Sequence, residues 1–385
     1  MLNHRYLITI LLSLFSFQLN AQTLSDKSFI SVLSCGEGNE LYSTFGHTAI
    51  RVYDSLLQTD IVFNYGTFDF NTPNFYIKFS QGRLPYMLSV TSFENFVAEY
   101  RYEGRFVYEQ ILALSTEEKE NLYNLLIENY RPENRYYAYD FFMDNCATRV
   151  RDIINKSLID RTFFIETNSD TNASFRNLIY PYLESMLWWR LGIDIVLGMR
   201  CDHHASNTQY MFLPYELMNQ LDTITISGKH IIEKKTMILP QTKEPLPKSI
   251  SPTLLAYILL VIVLFAGFWE YKTKKYFKVI DILLFLVLSL LSLLILYLWF
   301  LSNHYTTKFN LNLLWANPMF IYLLLRLQKS NLYIIIFLLS CSGIVLLGFW
   351  FLPQAFNPAV FPICLIIVVR MLHLLRIKKQ KNFKG

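Results

Sequence analysis

Acidic residues all but vanish from the last third of this 385-residue chain. From position 252 onward there are two, Glu270 and Asp281, against 13 lysines and arginines, a balance of +11. The remaining 22 basic and 28 acidic residues give −6, so the overall +5 is not a surface built for nucleic acid. A Lys/Arg excess beside apolar segments instead marks membrane topology. Charge is scarce throughout, at 17%, while 53% of residues are hydrophobic, more than a soluble chain carries. Cysteine is scarce as well: Cys35, Cys146, Cys201, Cys341 and Cys364. Cys341 and Cys364 fall in apolar segments as packing residues. Cys35 and Cys201 have the option of pairing in an oxidising compartment, which leaves Cys146 a thiol; spacing does not decide the pairing. Cys201-Asp202-His203-His204 puts metal-binding side chains in a row, but no second cluster accompanies them. Adjacent ligands do not close a tetrahedral shell, so no metal and no other cofactor is expected.

What is present divides the chain into four. Residues 1–21 read as a secretory signal, with His4 and Arg5 before an apolar run and Leu19-Asn20-Ala21 at the cleavage site. No cysteine follows that site, so the chain is not expected to be a lipoprotein itself. Residues 22–235 are mixed and aromatic-rich, 236–251 hold prolines and read as a linker, and 252–385 are nearly continuous apolar segments. Five of those, near 253–270, 280–301, 311–326, 331–351 and 359–376, are expected to span, with 311–326 interrupted by Asn317-Pro318. Lys272, Lys274, Lys275 and Lys278 follow the first segment, and Arg376 through Lys384 form a basic tail. Both sit inside if the 22–235 domain sits outside. The expected location is a bacterial inner membrane, with the large domain in the periplasm.

Two stretches carry chemistry. In Asp144-Asn145-Cys146-Ala147-Thr148-Arg149, Val150, Ile153, Ile154 and Leu158 recur at helical spacing, and Asp144 or Asn145 is suited to cap the first turn. Cys146 then starts a helix, where the dipole favours thiolate and first-turn amides face an oxyanion, with Asn145 beside them. In Phe45-Gly46-His47-Thr48-Ala49-Ile50-Arg51-Val52, the alternation predicts a strand that opens on His47. A thiol with an imidazole in reach is the minimum for covalent acyl chemistry. Either residue alone is more often structural, so the pairing carries the assignment. Asp60-Ile61-Val62-Phe63-Asn64-Tyr65 predicts a neighbouring strand, and Asn64 is the candidate to orient His47, with Asp60 and Tyr65 as competitors. Further strands are expected at 28–35 and 106–114. A helix capped by Ser115 and Glu118 should run to Asn129, and another should cover 175–197 with a break at Pro181. Residues 160–175 read as loop, and 71–100 form an aromatic-dense stretch. Arg149 and, in the loop Ser302–Thr307, His304 are assigned to substrate contact.

These segments, with Asn64-Tyr65-Gly66-Thr67-Phe68 and Asn310-Leu311-Asn312-Leu313-Leu314-Trp315, resemble the Bacteroides-type lipoprotein N-acyltransferase (Lnb) family nearly end to end. The periplasmic part is also similar to permuted papain-like enzymes of the lecithin:retinol acyltransferase type, in which His precedes Cys. The resemblance implies an α+β fold: an antiparallel sheet with helices, followed by a helical membrane bundle. It implies an acyltransferase that moves an acyl chain from a membrane phospholipid, through a Cys146 thioester, to the terminal amine of a diacylated lipoprotein. Cys35 lies in a stretch that also looks like the family and is a rival nucleophile, but it precedes a glycine turn rather than a helix. The alternatives are a membrane-tethered papain-like hydrolase of peptidoglycan peptides and a scaffold with an inert Cys146.

Overall fold

Ser28–Cys35 (β1), His47–Asp54 (β2) and Thr59–Thr67 (β3) form where β-branched alternation calls for strands. The computed structural model describes residues 23–159, 173–226, 228–242, 244, 247, 249–327 and 331–382; the 1–21 signal lies outside them, as does most of the 160–175 loop. Pro85–Ser92 (β4), Val107–Leu112 (β5), Tyr136–Ala138 (β6) and Ile232–Leu239 (β7) complete a seven-stranded sheet ordered β6-β4-β3-β2-β1-β5-β7. Every neighbouring pair is antiparallel.

Phe75–Ser80 (α1) buries none of its residues, whereas Phe93–Glu103 (α2) lays Phe96, Val97 and Tyr100 on the sheet face of Leu33, Ala49 and Val62. Thr116–Tyr130 (α3) and Cys146–Ser157 (α4) cover the other face. There Leu122, Leu126, Val150, Ile153 and Ile154 pack against Ile30, Val32, Ile50, Val52 and Phe63. Each such side chain contributes about 1.5–3 kcal/mol when taken from water. The Ser115–Glu118 capping box starts α3 as its sequence predicts. Residues 236–239, expected in the linker, belong instead to β7. Of these only Leu239 is buried, too little to announce a strand, but pairing along β5 covers a sheet edge that would otherwise leave amides and carbonyls unpaired.

Phe175–Ile179, a short 3₁₀ turn Pro181–Leu183, Leu187–Val196 (α5) and Pro214–Thr223 (α6) follow, with the expected break at Pro181. The membrane half holds Pro252–Thr273 (α7), Lys278–Phe300 (α8), Met319–Leu325 (α9), Leu332–Leu347 (α10) and Val360–Asn382 (α11). Among the described residues, α7, α8 and α11 are long and apolar enough to cross a bilayer, and α10 is apolar but shorter. The segment expected at 311–326 is not one helix. A 3₁₀ turn, Leu311–Leu314, stops before Asn317, and Pro318 caps the short α9, because proline lacks the N–H that a continuous helix needs. Arg370 of α11 ties the inner ends together, its Nε 2.6 Å from Asp281 of α8 and its Nη1 2.6 Å from Glu270 of α7.

The two halves share more than a linker. Asn310 and Asn312 donate to the carbonyls of Ile195 (2.8 Å) and Asp194 (3.0 Å), which the last turn of α5 leaves without helical partners. Buried Asp194 in turn accepts from Asn357 at 2.8 Å and from Arg176 at 3.0 Å. At Gly198 a β-carbon would stand 2.0 Å from the carbonyl oxygen of Lys308, so only glycine admits this approach. The catalytic candidates are therefore carried at a set height above the bundle.

Candidate active site

Asn145 is the cap of α4. Its Oδ1 accepts the N–H groups of Ala147 and Thr148, both at 2.9 Å, and its Nδ2 donates to the carbonyls of Phe141 and Phe212, both at 2.7 Å. Thr148 Oγ1 accepts the Asn145 N–H at 2.8 Å. With its side chain so occupied, Asn145 fixes where the helix begins; it is not the free oxyanion donor that its position in sequence suggested. The cap also takes the Ala147 and Thr148 amides, leaving the N–H of Cys146 itself as the first-turn donor.

Cys146 meets the sheet at a gap. The β2–β3 ladder stops at Ile50–Phe63, and β3 bulges between Asn64 and Thr67, where Gly66 adopts φ 92°. The backbone N–H of Thr48, two residues beyond the last β2–β3 pair, acts on the sulfur. Burial pushes the Cys146 thiol above its ordinary pKa, and the amides of Thr48, Ala147 and Cys146 pull the other way without prevailing. The resting group is a thiol. The thiolate expected from the helix start loses to desolvation, which acts on the whole charge while amide dipoles offset only part of it.

His47 is the first residue of β2, and its Nε2 lies 3.3 Å from Asn64 Oδ1. Although part of its surface is accessible, close packing lowers its pKa to about 4, with the Arg105 charge adding to the effect and the Asn64 bond opposing it. At neutral pH the imidazole is uncharged. Strand alternation sends His47 and Ala49 toward α2, while Ile50 and Val52 pack with Cys146 on the α4 face. The thiol and the imidazole thus come to the same end of the sheet from its two sides, with the Thr48 amide, next to His47, acting on the sulfur. Cys35 sits opposite His47 in register; burial pushes its thiol up to about 12, a poor nucleophile. All five cysteines are free and buried.

A family model described as the Lnb N-terminal periplasmic domain matches residues 18–178, and one described as the Lnb transmembrane domain matches residues 244–382. The chain belongs to the Lnb family. It is a membrane protein with a periplasmic domain, and its family is that of lipoprotein N-acylation. Neither a curated protein nor a solved structure matches it.

Within the Lnb periplasmic domain, Arg149 is engaged by its own neighbours. It grips Asp144 through Nε (2.6 Å) and Nη2 (2.8 Å) and lies 3.5 Å over the ring of Tyr137. His304 likewise serves a junction: its Nε2 is 3.1 Å from the carbonyl oxygen of Phe79. Cys201-Asp202 is a packing feature, with Asp202 bound to Arg176 at 2.8 Å.

Two groups escaped the sequence reading. Tyr137, in β6, has a buried hydroxyl without a hydrogen-bond partner, and a β-carbon on Gly66 would stand 3.9 Å from that oxygen and 3.8 Å from the Cβ of Cys146. Burial holds this phenol protonated, and the Cys146 charge acts in the same direction. Arg105 donates to the Gly36 carbonyl at 2.7 Å, stands 4.6 Å over Tyr100, and acts electrostatically on both Cys146 and His47. The only signal in sequence was the run of tyrosines before Asp144, where alternation puts Tyr137 and Tyr139 on one side.

Proposed function

We propose that this protein transfers an acyl chain from a membrane phospholipid to the terminal amine of diacylated lipoproteins at the periplasmic face of an inner membrane, with Cys146 as carrier in a permuted papain-like arrangement. The observation behind this reading is a thiol at the start of α4 on which the Thr48 amide acts, one residue along β2 from a neutral His47 that is itself held by Asn64.

With Nε2–H donating to Asn64, Nδ1 of His47 is the base. Ring and thiol stand on opposite sides of the sheet end, so this reading requires the imidazole to come round the open end of β2, where it takes the thiol proton as sulfur attacks the ester carbonyl. The oxyanion is met by the N–H of Cys146 and the hydroxyl of Tyr137, a donor with no competing partner. The ester C–O bond breaks, the proton passes from His47 to the departing glyceryl oxygen, and lysophospholipid leaves. The lipoprotein α-amine then attacks the thioester and loses a proton to His47. Its new C–N bond replaces C–S, and sulfur recovers the proton as thiol. Because the resting pair is neutral, charge separation arises only when the acyl group is in place.

Mass spectrometry of lipoprotein N-terminal peptides from cells whose only copy carries Cys146→Ala tests this. Diacylated termini with a free amine are expected; N-acylated termini in that strain would remove Cys146 from the mechanism. Intact-mass analysis of the purified full chain with phospholipid vesicles should show one acyl adduct, released by hydroxylamine and absent from Cys146→Ala.

A further inference from the structure

Helix α1 is the part of the periplasmic domain least explained by folding. Tyr76 is 80% exposed, Ile77 56% and Phe79 50%, with Phe70 beside them at 61%. A contiguous apolar patch on a water-facing domain signals a partner. The position of this one is fixed by the membrane half. Ser80 Oγ lies 2.8 Å from the hydroxyl of Tyr297, near the end of α8; Asn303 N–H donates to the Gln81 carbonyl at 2.8 Å; His304 reaches Phe79. The other end of α8 follows the lysines expected inside, so α1 rests at the outer limit of the apolar span, beside exposed Phe300 and Leu301.

From there an unbroken series of ring contacts leads inward. Phe79 stacks with Phe75 at 6.3 Å, Phe75 meets Phe68 at 5.9 Å, Phe68 meets Tyr86 at 5.4 Å, and Tyr86 stacks on Tyr139 at 4.5 Å. Tyr139 borders the space above Gly66 that Cys146 also borders, 3.4 Å and 3.8 Å from a β-carbon placed there. Lys78 and Arg83, on the same turn, supply the charge that headgroup phosphates attract.

We infer that α1 dips into the outer leaflet and that this aromatic strip is the track along which a phospholipid acyl chain leaves the bilayer for Cys146. The inference rests on the acyl-transfer reading for its purpose, but not for its first test. Aromatic rings suit the role because they are stable at the headgroup level and line a path without fixing chain length.

The full chain carrying Tyr76→p-benzoylphenylalanine or Phe79→p-benzoylphenylalanine is irradiated in vesicles of phosphatidylethanolamine and phosphatidylglycerol. Lipid adducts are expected at both positions and at least tenfold fewer at Tyr102, which is 93% exposed on α2. Equal yields at the three positions, or adducts to protein alone, would overturn the inference. As a second measurement, the exposed residues are changed together, Tyr76→Ser, Ile77→Ser and Phe79→Ser. The rate of Cys146 acylation from vesicle phospholipid should fall tenfold or more relative to the rate from a soluble short-chain thioester. An unaltered ratio sinks the track. Wild-type protein that is acylated by neither donor sinks the transferase reading instead, while the cross-links still decide whether α1 meets lipid.

Discussion

A β-carbon on Gly66 would lie 3.8 Å from the Cβ of Cys146, in the one opening between β2 and β3 where the thiol meets the sheet. Gly66 also adopts φ 92°, which strains any other residue. Gly66→Ala is expected to lower stability by about 1–2 kcal/mol. Gly66→Val, filling the opening, should also abolish Cys146 acylation in a protein that still folds. Thermal melts and intact-mass acylation measured side by side separate the two effects.

The pH response follows from His47. Its folded pKa, about 4, lies below the ordinary 6.5, so the base is available across neutral pH. Acylation should stay flat through the neutral range and reach half its plateau near pH 4. Below pH 6.5 the unfolded chain binds a proton that the folded chain refuses, so this group costs stability progressively from about pH 6.5 down to 4, and no further below. A half-maximal rate at pH 6 or above would place another group in the role of base.

Tyr137→Phe removes a hydroxyl that has no partner in the fold, so the melting temperature should hardly move. Loss of an oxyanion donor costs about 10²–10³ in kcat. The loss is expected in kcat with little change in KM for the donor lipid. Equal kcat in the two proteins would exclude this hydroxyl from the transition state.

Asn64→Ala leaves the imidazole without its orienting partner at 3.3 Å. The expected fall in acylation is about 10–100-fold, by analogy with lost orienting partners elsewhere, and Asn64→Gln should not restore it, because the longer side chain misplaces the oxygen. Steady-state rates of the two variants check this.

Arg370→Met strands two buried carboxylates, Glu270 and Asp281, in the helical bundle. Breaking one side of such a cluster costs about 3–5 kcal/mol. Adding Glu270→Gln and Asp281→Asn to Arg370→Met should recover much of that loss. Unfolding in detergent, followed by the fluorescence of buried Trp315, measures both.

Local physics wrote much of this protein openly in its sequence. Alternation gave away β1, β2 and β3, the apolar runs located the membrane half, and a short polar residue before Cys146 marked the start of α4, because each signal depends on neighbours a few positions apart. That His47 and Asn64 stand on neighbouring strands followed from the same alternation. Only the tertiary structure decided the rest. Desolvation, set by residues far away in the chain, leaves Cys146 a thiol where its helix position alone favours thiolate. Arg149 and His304 carry binding chemistry in sequence and spend it on Asp144 and the Phe79 carbonyl in the fold. Tyr137 looks like one of many tyrosines until packing strips its hydroxyl of partners beside Gly66, which Cys146 also borders. A pKa, an ion pair and an unpartnered hydroxyl depend on what is near in space, and sequence neighbours do not specify that.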